Sequence, residues 1–148
     1  MDVEKIKADF QIESSAIKNV ILKVKHVPDK GEKITYHLDV DYNILNLEES
    51  DSAYHGDLEL FIEIKAKSGR KNILEIKLET EAHFKGNKKK ISYEQFRDML
   101  ELNGLATLSH LSRSYILAFT ALSGINPPVR MPLLNIHALR EMKNIEKH

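Results

Sequence analysis

Catalysis or metal binding needs titratable, nucleophilic or ligating side chains that converge, and four parts of the sequence could supply them. The first is a set of seven histidines: His26, His37, His55, His83, His110, His137 and His148. None stands in an HExxH or other metal-ligating spacing. His37 and His83 fall at polar positions of alternating segments, where a solvated histidine is expected. The second is Ser109-His110. Neighbours on a helix project about 100° apart, so the two cannot form a nucleophile–base hydrogen bond to each other. The third is the carboxylate series Glu59, Glu63, Glu75, Glu79 and Glu81 beside Lys65 and Lys77, which cross-strand ion pairs explain better than acid–base catalysis. The fourth is Lys85, Lys88, Lys89 and Lys90. That run could touch phosphate, but it is short, lacks interleaved aromatics and reads as a solvated turn. There is no G-x-S-x-G, Walker loop or dinucleotide fingerprint. With no cysteine, disulfides, thiolate catalysis and cysteine-ligated metals are excluded. The expectation is a protein without catalytic residues, metal or cofactor.

The elements that position side chains are easier to read. Ile34, Tyr36, Leu38, Val40, Tyr42 and Ile44 alternate with polar residues. So do Leu58, Leu60, Ile62, Ile64 and Ala66, and then Leu74, Ile76, Leu78, Ala82 and Phe84. A period of two puts the apolar set on one sheet face and the charged set on the other. Ser68-Gly69-Arg70-Lys71-Asn72 predicts a hairpin between the second and third of these strands, and Glu48–Ser52 a solvated loop. An earlier strand is predicted from Phe10 and Ile12, then Val20, Leu22 and Val24, with a break near Ser14-Ser15. Val27-Pro28-Asp29-Lys30-Gly31-Glu32 is a non-helical connection.

Beyond Lys90 the period becomes helical. Ser92 and Gln95 predict a capping box, and Asn103-Gly104 a break or bend. Leu105, Leu108, Leu111, Tyr115, Phe119 and Leu122 form one stripe of a helix of roughly five turns. Ile116, Leu117 and Ala118 widen it. Gly124 predicts the C-cap. Pro127-Pro128 and Pro132 keep the next segment extended, and Asn135 caps a last short helix. The whole, residues 1–148, reads as one α+β domain: a four-stranded antiparallel sheet with one long helix and a short C-terminal helix packed on one face. The helix is apolar on more than one side. Either a partner covers the surplus, most simply a second copy, or the proline segment and last helix do. Equal counts of 22 basic and 22 acidic residues argue against nucleic-acid binding. The N-terminus lacks a signal-peptide apolar core and no run would span a membrane, so a cytoplasmic location is expected, without membrane insertion.

The order of elements and several local stretches resemble the SecB export chaperones. Gly124-Ile125-Asn126-Pro127-Pro128-Val129-Arg130-Met131 matches that family's glycine–proline–aliphatic pattern. Pro132-Leu133-Leu134-Asn135-Ile136-His137-Ala138-Leu139 matches the opening of its final helix, with Ile136 in place of an aromatic. Phe10-Gln11-Ile12 resembles its first strand, and Glu75–Phe84 resembles a later one. The resemblance spans residues 10–142. It implies a homo-oligomeric dimer of dimers that holds unfolded polypeptides, including exported preproteins, without ATP. The groove candidates are Val27, Leu111, Tyr115, Phe119, Ile125, Val129 and Met131. The interface candidates are Leu105, Leu108, Ile116 and Leu122. For each groove candidate the alternative is plain core or subunit interface.

Where the family has an acidic SecA-binding surface this chain has Asn19, Lys23 and Lys77, which argues against a SecA interaction. It also has no tryptophan, whereas the family usually brings one to the groove. A chaperone or adaptor dedicated to one partner, as in a toxin–antitoxin system, is an open alternative. So is a small-ligand-binding α+β domain, which would show a closed cavity with converging polar groups.

Overall fold

A computed structural model describes residue 2, residues 8–29 and residues 31–146, so Lys30 and His148 fall outside the described residues. The alternating segments form β1 (Phe10–Val24), β2 (Thr35–Glu49), β3 (Ala53–Ser68) and β4 (Lys71–Asn87). They pair antiparallel in the order β1-β4-β3-β2, which makes β1 and β2 the edges. Three segments form one continuous helix over 93–122: α1 (Tyr93–Met99), a π turn (Leu100–Gly104) and α2 (Leu105–Leu122). α3 (Ile136–Glu146) comes last. This is the expected four-stranded sheet with a long and a short helix.

β1 does not break at Ser14-Ser15. Two bulges, between Ile12 and Ser14 and between Ile17 and Asn19, carry it across. Each inserts an extra residue and flips the parity of the residues beyond it. Ile12 therefore lies opposite Phe84, Ile17 opposite Thr80 and Val20 opposite Leu78, all on the apolar face. A strict period of two would have put Ile17 on the other side.

The helix begins as expected. Gln95 N–H donates to Ser92 Oγ at 3.1 Å, and Ser92 N–H donates to Gln95 Oε1 at 2.8 Å. Asn103-Gly104 does not break it. The chain passes through the π turn, with Leu105 N–H reaching back to the Leu100 carbonyl. Gly104 is buried against the sheet, where a Cβ would stand 3.0 Å from Leu58 Cδ1 and 3.3 Å from the Phe84 ring. Glycine is there for close approach, not for a turn. At the far end, Gly124 N–H donates to the Ala121 carbonyl and Ile125 N–H to the Thr120 carbonyl, both at 3.1 Å. That pair is a Schellman cap. Asn135 caps α3 through Ala138 N–H at 3.1 Å.

The buried stripe of α2 is rotated from the expected one. It consists of Leu105, Leu108, Ser109, Ser112, Ile116 and Thr120. Small hydroxyl residues occupy its middle and let the helix lie close over β3 and β4. Two of these hydroxyls are paired: Ser112 shares a 2.9 Å bond with Thr80, and Thr120 Oγ1 donates to the Ile116 carbonyl at 2.7 Å. Burial therefore leaves neither of them without a partner. The larger Leu111, Tyr115 and Phe119 are displaced to a shoulder, where they are half-buried.

The outer sheet face carries the charges. Lys18–Glu81 (3.0 Å) and Lys25–Glu75 (3.7 Å) pair across β1 and β4. Lys65–Glu63 (3.2 Å) and Lys77–Glu75 (3.5 Å) pair along one strand. Asn19, Lys23 and Lys77 all lie here, beside acidic Glu79, Glu75 and Glu63 respectively. His83 also lies on this face, but it is not simply solvated: its Nδ1 is 2.6 Å from Asp57 Oδ1. The basic run after β4 pairs Lys88 with Glu49.

Candidate functional site

α1 and α2 cover the middle of the apolar face. Beneath them Leu58, Leu60, Ile76 and Phe84 meet Phe96, Leu100, Leu105, Leu108 and Ile116, all at most 1% exposed. The same face continues onto β1, and there the cover ends. Ile17 lies opposite Thr80 and Val20 opposite Leu78. Yet Ile17 is 41% exposed and Val20 45%, against 0% and 2% for their partners. Ile12 and Val24 are exposed likewise, as is Tyr36 on β2. The alternation in the sequence contains most of this strip; the bulge that adds Ile17 to it has no local signal.

The segment after α2 determines which side of the helix stays open. Val129 N–H donates to Thr120 Oγ1 at 2.9 Å, and Arg113 Nε donates to the Met131 carbonyl at 2.7 Å. These bonds pin residues 129–131 along one side of α2. The chain then runs to α3, which docks on the β2 side: Lys143 Nζ donates to Asp41 Oδ1 at 2.6 Å and to Asn43 Oδ1 at 3.4 Å. At 100° per residue, Leu111, Tyr115 and Leu122 project on the opposite shoulder, toward β1. Leu122 is 89% exposed.

At the end of the sheet the strip opens into a cavity of about 440 Å³. Its walls include Val24, Val27, Ile34, Tyr36, Ile73 and Ile125, drawn from the β1–β2 connection, the strand ends and the helix cap. The connection is braced by Glu32, which accepts from Ser68 Oγ at 2.7 Å and from Asp29 N–H at 2.9 Å. Those bonds hold its carboxyl below the ordinary glutamate range. His26 and Tyr36 are its titratable lining residues, and His26 Nε2 lies 3.8 Å from Glu32 Oε2; the rest of the wall is mostly apolar and can desolvate apolar side chains.

The sequence-derived candidates divide three ways. Val27 and Ile125 meet in the end cavity, and Leu111, Tyr115 and Phe119 line the helix shoulder. Val129 and Met131, expected in the groove, are 4% and 1% exposed and belong to the core. Leu105, Leu108 and Ile116, expected at a subunit interface, are 0% exposed within the single chain and have no surface to offer a second copy. The rotation of the buried stripe accounts for both corrections. Of the interface candidates only Leu122 is at the surface.

By sequence the chain matches no family model and no curated protein. Solved structures do match. One is the Mycobacterium tuberculosis SecB-like chaperone Rv1957, in complex with a ChAD peptide from the Rv1956 HigA1 antitoxin. It aligns with a TM-score of 0.66 and 16% identity, over 86% of this chain and 91% of that one. The fold is SecB-like. A Streptococcus agalactiae protein of unknown function also aligns, with a TM-score of 0.49 and 10% identity, over 83% of this chain and 96% of that one. In this version of the SecB-like fold the long helix, the β1 flank and the end cavity form one apolar surface. Among the described residues no helix is long and apolar enough to cross a membrane.

Proposed function

We propose that this chain is an ATP-independent holdase that takes extended apolar segments of non-native polypeptides along the β1 flank and into the end cavity. One observation carries the reading: the sheet's apolar face continues beyond its helical cover as an exposed strip, Ile12, Ile17, Val20 and Val24, running toward Val27. Single soluble chains rarely leave such a strip open unless something occupies it. A mostly apolar lining accepts many sequences. The open edge of β1 offers backbone donors and acceptors to any extended client, whatever its side chains. The chain forms a homo-oligomer, a dimer of dimers on the SecB resemblance, with Leu122 exposed for that contact. Several sites on one assembly raise avidity along a single long client. It acts without cofactor in the cytoplasm, on clients that include exported preproteins.

A second reading, service to one dedicated partner, is favoured by the antitoxin peptide bound to the M. tuberculosis SecB-like chaperone. One experiment addresses both. Light scattering tracks the aggregation of several unrelated, chemically unfolded proteins without ATP, alongside the chain's mass in solution. A holdase suppresses all of them; a dedicated partner chaperone suppresses only its own client. A monomer with no effect on any client contradicts the holdase reading.

A further inference from the structure

The outer face of the sheet, away from the apolar flank, carries a chain of polar groups across β2, β3 and β4. Asn46 Nδ2 donates to Asp57 Oδ2 at 2.7 Å. Asp57 Oδ1 lies 2.6 Å from His83 Nδ1. His83 Nε2 lies 3.2 Å from His55 Nδ1, with the two rings stacked at 18°. An ionised Asp57 only accepts, so His83 Nδ1 carries the proton and its Nε2 presents a lone pair toward His55. The facing nitrogens then share a single proton, supplied by His55.

We propose that this pair is a binding site for a zinc-class divalent cation, which takes the place of the shared proton. Two imidazole nitrogens at about 2.0–2.1 Å on a tetrahedral zinc stand about 3.3–3.4 Å apart, and here they stand 3.2 Å apart. Asp57 lies on the far side of the His83 ring and is not a ligand. It fixes the tautomer and the ring plane, as carboxylates behind zinc-bound histidines do. To bind metal, His55 changes tautomer, its proton moving to Nε2. Among the described residues no set of three or more ligands converges, so the site supplies two nitrogens. Water, or a donor from a docking partner, fills the remaining positions on this half-exposed face. Imidazole pairs favour Zn²⁺, Cu²⁺ and Ni²⁺ over Mg²⁺ and Ca²⁺. The charged groups around the pair are Lys85 and Glu48, both opposite His55 in the sheet, and Glu59 and Glu81 one row away.

Calorimetric titration of the full chain with zinc chloride at neutral pH tests this. The expected result is one equivalent per chain, lost in His55→Gln and His83→Gln and weakened about tenfold in Asp57→Asn. His37→Gln, on the same face but in the row of Lys65 and Glu75, binds unchanged. In the wild-type chain, zinc shifts the imidazole NMR signals of His55 and His83 together. No uptake by the wild type, unchanged uptake in either histidine variant, equal affinity in Asp57→Asn, or shifts confined to other histidines overturns the proposal.

Discussion

The centre of the sheet and its β1 edge share one apolar face, carried through two bulges in β1, and they differ in what lies above them. Leu60 and Leu78 sit under α2 with their apolar surface removed from water; Ile17 and Val20, on the edge strand, keep nearly half of theirs. The same residue types therefore act as core in one place and as available binding surface in the other. The reach of the helix decides which. α2 lies over β3 and β4, and the segment after it is tied to the β2 side by Arg113, Thr120 and α3.

The largest expected contrast is in stability. Leu58→Ala or Leu108→Ala, both at 0% exposure, should cost about 2–5 kcal/mol in urea unfolding. Ile17→Ala or Val20→Ala should cost less than about 1 kcal/mol while weakening client holding. Equal losses at the two places would erase the distinction. Overpacking the covered side comes next. A Cβ at Gly86 would stand 2.6 Å from Phe96 Cδ2, so Gly86→Ala should cost about 1–3 kcal/mol. Ser112→Ala strips the buried Thr80 hydroxyl of its 2.9 Å partner and should cost about 1–2 kcal/mol.

The smallest effect belongs to α3, which buries no residue fully, rests Ile136 and Leu139 against the core and adds a set of ion pairs. Arg140 donates to Asp98 at 2.9 Å and to Glu101 at 3.3 Å, while Lys143 bonds Asp41 and lies over the Tyr42 ring. Burial and the neighbouring Glu101 push the Tyr42 hydroxyl up to about 12, so it stays protonated at any working pH. Burial works to raise the Asp41 carboxyl, but Lys143 and the Tyr42 N–H outweigh it and hold it below the ordinary range. A depressed carboxyl stabilises above its unfolded pKa and loses that contribution as pH falls through the folded value. α3 should therefore loosen below about pH 4 and in high salt. Lys143→Ala should cost under about 1 kcal/mol. Hydrogen exchange of α3 against that of α2 measures the difference.

How far the molecule was legible in its sequence depends on whether a feature is local. β2, β3 and β4 could be read because period-two alternation reports directly which face each side chain takes. The capping box at Ser92 and the cap at Asn135 could be read because each is satisfied within three residues. β1 could not be read in full, because its bulges are set by pairing with β4; Ile17 has no local mark of belonging to the apolar face. The far end of the long helix was legible, but its continuity through Asn103-Gly104 and its buried stripe were not. Ser112 and Thr120 look polar until Thr80 and the helix's own carbonyls are seen to pair with their hydroxyls. Gly104 reads as a breaker and serves as a contact. For the candidate site, Val27 and Ile125 were named from the resemblance and do meet, whereas Val129 and Met131 lost their place when the bonds to Thr120 and Arg113 drew that segment into the core.

The most direct test of the central claim uses two neighbouring residues on opposite faces. Val20 lies on the apolar face opposite Leu78 and Asn19 on the charged face opposite Glu79, and both are exposed. A photo-crosslinking side chain is placed at one position or the other, and the folded protein is mixed with an unfolded client and irradiated. The flank account predicts client adducts from position 20 and few from position 19. Equal yields from both, or adducts mainly from position 19, would contradict it.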